Sequence, residues 1–310
     1  MISLCMITKD EEMTIGPCIE SVRDIVDEIV VVDTGSTDKT VEILMTFGAK
    51  VIEHELADDF SRARNLSLRA ASGDWILVLD ADERIEQKDL PTLGNLAGTG
   101  ECAGYFLPLH IYLAKRMQLM DYKRFLPTHT QPSEKKTIVD YKLSFFRNIS
   151  DIYYENLVHE NVTNSIRVLN RPCEVTEVII HNFPRPPGDR SHAQENKYEE
   201  LLEKQISINP NDSRAHWFLG CNYYGRGMRT LAAKEFEKAS RSLSRPVEAL
   251  QACLSLAQIY IEDNKFVQAL DVCRKSQEIC LRHKDDVELK INARLLAAIH
   301  ETCSFCSDMT

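Results

Sequence analysis

Trp75-Ile76-Leu77-Val78-Leu79-Asp80-Ala81-Asp82-Glu83 begins as an unbroken apolar run and ends acidic. Five apolar residues in a row after Gly73 predict a central strand covered on both faces. An extended backbone sends alternate side chains the same way, so Asp80 and Asp82 are expected to point together past the strand's carboxyl end. Open α/β sheets bind ligands at that end. Two neighbouring carboxylates repel unless a cation lies between them, and oxygen ligands with room for phosphate suit Mg²⁺ or Mn²⁺.

Upstream of this run, strand and helix patterns alternate. Ile2–Ile7 predicts a strand. A helix with apolar Ile15, Ile19, Val22 and Val26 follows, then a strand at Ile29–Val32. A helix from about Lys39 to Gly48, a strand at Lys50–His54 and a helix over Phe60–Ala71 complete the series. This β-α-β-α-β-α-β order predicts an α/β, Rossmann-like, mostly parallel, doubly wound sheet. Its strand-end loops would gather Asp10, Glu11, Asp33, Ser36, Asp58, Asp59, Asp80 and Asp82 around one crevice. There Asp33 can accept a hydrogen bond from a uracil N–H, and Thr34-Gly35-Ser36 lets backbone approach a ligand. Arg62 and Arg64, near a helix start, can answer a diphosphate or pair with Asp58 and Asp59. Neither a dinucleotide fingerprint nor a P-loop occurs.

Charge and composition narrow the function class. The chain has 310 residues, 44% of them hydrophobic, and a net charge of −10. That balance argues against nucleic acid held by bulk charge. No apolar run approaches the ~18 residues that span a bilayer. Met1–Met6 reads as the first strand and not as a leader. Ten scattered cysteines fit buried thiols in a reducing cytosol, so the expected location is cytoplasmic. Cys303 and Cys306 have the spacing of a metal or redox pair but no second pair nearby.

Four runs together resemble glycosyltransferase family 2. They are Ile7-Thr8-Lys9-Asp10-Glu11-Glu12, Ile29-Val30-Val31-Val32-Asp33-Thr34-Gly35-Ser36-Thr37-Asp38, Asp59-Phe60-Ser61-Arg62-Ala63-Arg64-Asn65 and the stretch from Gly73 to Glu83. The resemblance covers about residues 1–185. It implies a GT-A fold, a nucleotide-sugar donor and inversion at the anomeric carbon. The resemblance further implies that Asp33 contacts the base and that Asp80 and Asp82 bind the metal-diphosphate and sugar; Thr8, Asp10, Glu11, Ser36 and Arg62 are the other expected donor-site residues. The Phe-Ser-x-Ala-Arg-Asn variant is similar to the branch with helical repeats, which includes sublancin-type peptide S-glycosyltransferases. Asp10 departs from the Asn of many members.

An inverting transfer needs a base for the acceptor proton. Glu160, in Val158-His159-Glu160, is the expected base, with His159 as the alternative or as an orienting group. Val175–Ile180 predicts a last strand that exits at His181, a candidate third metal ligand because Mn²⁺ accepts imidazole. Gly104–Leu109 and Tyr141–Phe146 predict further strands. Between them a basic segment from Tyr112 to Val139, with Lys115, Arg116, Lys123, Arg124, Lys135 and Lys136, reads as a flap over the acceptor.

Pro184–Gly188 breaks helix and marks the expected boundary between a 1–185 transferase domain and a 186–310 helical domain. Beyond it, His216, Leu219, Gly220, Tyr223, Ala232, Phe236 and Ala239 recur 37 residues later as Cys253, Leu256, Ala257, Tyr260, Ala269, Cys273 and Ser276. This is close to the tetratricopeptide period of about 34. An earlier helix over Ala193–Ile208 and a capping helix over Val287–Cys303 complete the array. Such arrays bind peptides or proteins, or dimerise. The expectation is therefore a metal-dependent transferase moving sugar from a UDP-sugar to a peptide or protein side chain. A glycan hydroxyl acceptor and a noncatalytic scaffold are the competing readings.

Overall fold

The computed structural model describes residues 1–55, 58–98, 102–112, 137–183, 192–242, 245–283, 287 and 289. These fall into two compact units, the first ending before the 184–191 segment and the second beginning after it. The predicted basic flap, the Pro184–Gly188 joint, the capping helix beyond Leu289 and the Cys303–Cys306 pair lie outside the described residues.

The first unit is built on a nine-stranded sheet ordered β3-β2-β1-β4-β7-β6-β9-β5, with β8 beside β6. Its strands are β1 Ile2–Thr8, β2 Glu28–Asp33, β3 Lys50–Glu53, β4 Trp75–Val78, β5 Glu83–Ile85, β6 Gly104–Tyr112, β7 Thr137–Arg147, β8 Cys173–Val175 and β9 Ile180–Asn182. The predicted half, β3-β2-β1-β4, is parallel throughout. Beyond β4 the direction changes, since β7 pairs antiparallel with both β4 and β6. The fold is therefore the expected α/β class, with a mixed sheet whose parallel half carries the strand-end crevice.

Strand alternation divides the core. Leu4, Met6, Trp75, Leu77 and Phe145 face one layer with helices α1 (Ile15–Val22), α2 (Thr40–Thr46) and α4 (Leu90–Gly98). Trp75 stacks on Phe145 at 4.7 Å, closing that layer across the parallel-to-antiparallel seam. Cys5 points the other way, its thiol 3.7 Å from Ser67 O of α3 (Phe60–Ala70), so α3 covers the opposite face. A buried aromatic side chain is worth about 1.5–3 kcal/mol, which makes this seam a main source of stability. The eight described cysteines are all free.

The remaining helix of the first unit, α5 (Thr163–Val168), follows the loop that carries Glu160. The second unit is entirely helical over its described residues: α6 His192–Ile208, α7 Ser213–Gly225, α8 Arg229–Ala239, α9 Pro246–Glu262 and α10 Phe266–Arg282. The recurring positions form its core, with Ala232, Phe236, Ala239, Leu256, Ala269 and Cys273 all buried. At Gly220 a Cβ would sit 2.6 Å from two carbons of the Phe236 ring, so glycine is what allows α7 and α8 to close on each other. Asp212 caps α7 by accepting from Ala215 N at 3.0 Å. No described helix is long and apolar enough to cross a membrane.

Candidate active site

The β1 and β2 exits are laced together. The Asp33 carboxylate accepts from Gly35 N (3.1 Å), Ser36 N (2.9 Å), Ser36 Oγ (2.5 Å) and, weakly, Thr8 Oγ1 (3.4 Å). A carboxylate has about four acceptor sites, so this one is filled by its own loop and by Thr8 of β1. Asp10 N donates to Ser36 Oγ at 2.9 Å, and Asp10 Oδ1 accepts from Thr37 N at 2.7 Å. Glu11 N donates to Thr40 Oγ1 at 2.7 Å. Thr8, Asp10, Glu11, Asp33 and Ser36 thus form one interlocked rim. Asp10 adopts φ 52°, a left-handed conformation that Asn and Asp tolerate best among residues with a side chain.

The Asp59–Asn65 run divides its roles between backbone and side chains. Asp59 caps α3 by accepting from the backbone N of Arg62 at 3.0 Å, while the Arg62 side chain is exposed. Arg64, two residues on and so on the opposite face of the helix, is buried. Its Nη2 donates to Asp80 Oδ1 at 2.6 Å and its Nε to Glu160 Oε1 at 3.1 Å. One guanidinium edge therefore joins the acidic strand exit to the expected base. Asn65 brackets Tyr154, accepting from its N (2.7 Å) and donating to its O (2.9 Å). Phe60 N donates to Leu157 O at 2.9 Å. These bonds pin the Tyr154–Glu160 loop onto α3, and the loop closes on itself through the Glu155–Asn161 bridge. His159, at φ 53°, supplies the bend that delivers Glu160. Backbone held in this region is typical of functional sites.

The Asp80–Glu83 segment is a tight turn and not the extended run expected. Glu83 N donates to Asp80 O at 2.9 Å, and Asp80 N donates back to Glu83 Oε2 at 2.8 Å. The acidic exit itself supplies the reason. Glu83, 2% exposed, caps the turn from inside and starts β5. Asp80 and Asp82 are half-buried and remain at the strand end.

Lys142, which the sequence reading passed over, completes the cluster. Its Nζ donates to Asp80 Oδ2 at 2.9 Å and to both Glu83 oxygens at 2.8 and 3.0 Å. Burial opposes the charge on Asp80, but Lys142 and Arg64 outweigh it and hold the carboxyl well below the usual range. Burial, then the Asp80 charge, pushes Glu83 up to about 7 despite the pull of Lys142. Burial also opposes the charges of Arg64 and Lys142, and their carboxylate partners reverse that and raise both. The Arg64 Nη1 is buried without a hydrogen-bond partner among the described residues.

His181 stands apart from Asp80. It pairs with Arg84 across β5 and β9, next to the Asp82–Phe183 backbone bond. Its Nδ1 shares a 2.5 Å hydrogen bond with Tyr112 Oη, and its Nε2 lies 3.3 Å from Glu86 Oε1 without a hydrogen bond. Burial lowers its pKa, favouring neutral imidazole, the form that ligates metals. Among the described residues no three His, Cys, Asp or Glu side chains are grouped closely enough to hold a metal as they stand.

Residues 3–155 match the sequence model of glycosyl transferase family 2, so the first unit carries a family 2 glycosyl transferase domain. A TPR repeat-containing protein of Synechococcus elongatus is 38% identical over 221 residues, which is 68% of this chain and 49% of that protein. The chain thus spans about half the length of that relative. The SPbeta prophage-derived glycosyltransferase SunS of Bacillus subtilis is 23% identical over 98% of this chain and 69% of its own. Among solved structures, residues 1–349 of S. aureus TarS align with a TM-score of 0.40 at 15% identity, covering 97% of this chain and 91% of that one.

Proposed function

We propose that this protein is an inverting glycosyltransferase that moves a sugar from a UDP-sugar to a peptide or protein side chain. The observation that carries the reading is the Arg64 bridge, which sets Asp80 of the donor-side turn and Glu160 of the opposite loop against one guanidinium within a family 2 domain. In this reading the acceptor heteroatom attacks the anomeric carbon as Glu160 takes its proton. The bond from that carbon to the diphosphate breaks, and UDP leaves with the electron pair. Arg64 orients Glu160 and adds positive charge near the leaving group. The Thr8–Asp33 bond, at 3.4 Å, is the weakest on that carboxylate and the one a uracil N–H would replace.

Metal dependence belongs to the proposal. Asp82 would hold a Mg²⁺ or Mn²⁺ ion, together with Asp80 once the donor draws Lys142 away. His181, whose Nε2 is without a hydrogen bond and whose strand partner Arg84 lies two residues from Asp82, is the candidate third ligand. When bound, such an ion neutralises the departing diphosphate. The division into a 1–185 transferase domain and a 186–310 repeat domain is likewise proposed, with the repeats taking the acceptor peptide or a second copy of the chain. Calorimetric titration of the full chain with UDP tests the donor assignment. Saturable binding strengthened by Mn²⁺ supports it, and no binding with or without metal contradicts it.

A further inference from the structure

Lys142 lies where strand register puts it. In the antiparallel β4–β7 pair Trp75 is opposite Arg147, Ile76 opposite Phe146 and Leu77 opposite Phe145. Continuing that register brings Lys142 opposite Asp80, past the last paired residue of β4. The seam where the sheet turns from parallel to antiparallel therefore delivers a cation to the donor side of the crevice.

Its three bonds are unequal in setting. Two go to Glu83, whose side chain is 2% exposed, and one goes to Asp80, whose side chain is 39% exposed. The Lys142 side chain itself is 24% exposed, against 7% for Arg64. Arg64 has one edge committed to two carboxylates, whereas an ammonium on a flexible stem can turn to a new acceptor without losing its anchor. Of the three bonds, the one to Asp80 is therefore the one an incoming ligand can reach.

Resting on the UDP-sugar reading above, we propose that Lys142 is a donor-binding residue: its Nζ stays on Glu83 and exchanges Asp80 for an oxygen of the nucleotide diphosphate. Glu83 is then a positioning residue for Lys142, and the exchange releases Asp80 Oδ2 as the donor arrives. The exchange is between like partners, one charge-assisted hydrogen bond for another.

Calorimetry on the full chain with UDP and with uridine tests this. Lys142→Met should weaken UDP binding about 10–100-fold, the loss of one charged hydrogen bond, and leave uridine binding unchanged. Lys142→Arg should recover UDP binding to within a few-fold of wild type. Lys142→Met alone strands Glu83 without its cation, so the double variant Lys142→Met/Glu83→Gln provides a charge-balanced control and should show the same selective loss. If Lys142→Met binds UDP like wild type, or loses UDP and uridine equally, Lys142 is a structural counter-ion and the donor reading survives without it. If wild type binds neither UDP nor uridine, the donor reading fails and takes this proposal with it.

Discussion

Arg64 and Glu160, 96 positions apart in the chain, form a 3.1 Å ion pair inside the crevice. The pair is held in place because Asn65 and Phe60, on the same helix as Arg64, bind the Glu160 loop by its backbone. Position and charge thus come from one seven-residue segment. Lysine would keep the charge at position 64 but lose the forked geometry that serves Asp80 and Glu160 together.

Asp82→Asn should cut transfer by on the order of 10² or more, through lost charge stabilisation at the leaving group. Chelation by EDTA should have a comparable effect on wild type. Undiminished wild-type turnover in EDTA would remove the metal from the account.

At position 159 the backbone is held in the left-handed region. With φ at 53°, His159→Gly should keep this bend without backbone strain. His159→Val places a β-branched residue in the left-handed region and should cost about 1–2 kcal/mol in denaturant unfolding. Equal stability of the two variants would mean that this bend is not constrained.

The pH dependence of stability should carry the mark of Glu83. Its folded pKa, raised from 4.5 to about 7, exceeds the unfolded value, so its contribution is fully present below about 4.5 and is lost as pH rises through 7. Between pH 5 and 8 the stability of wild type relative to Glu83→Gln should therefore fall, by about 1–3 kcal/mol. Asp80 runs the opposite way. Its lowered pKa gives stability that is present at neutral pH and is lost only in strong acid, below that window. A flat difference between wild type and Glu83→Gln would contradict the buried, charged environment assigned to Glu83.

In the helical unit, Gly220→Ala should destabilise by about 1–3 kcal/mol, because the new methyl meets the Phe236 ring at 2.6 Å. Gly225→Ala meets nothing within 4 Å and serves as the control in the same melting experiment. Equal melting of the two would refute close packing at Gly220.

Much of this was legible in the sequence because the signals are local. Continuous apolar runs gave β1, β2 and β4, and the 37-residue recurrence picked out residues that are now core. What escaped depends on partners distant in sequence. Arg62 and Arg64 look alike in the sequence, and only packing of α3 buries the second. Lys142 sits in a strand that its apolar neighbours predict, and its place beside Asp80 comes from antiparallel register with β4. The alternation rule for Asp80 and Asp82 assumed extended backbone, but Glu83 caps a turn there. The predicted Val175–Ile180 strand divides into β8 and β9, which pair with β6 at different places.

The most direct measurement is UDP release from a panel of UDP-sugars, with wild type and Glu160→Gln compared at equal UDP affinity. Many transferases slowly hydrolyse donor when no acceptor is present, so water can stand in for the unknown acceptor. The account predicts release by wild type from at least one donor. It further predicts a decrease of about 10²–10⁴-fold in Glu160→Gln, because glutamine keeps size and hydrogen bonding but cannot take the proton. No release by wild type from any UDP-sugar, or release by Glu160→Gln at the wild-type rate, would contradict it.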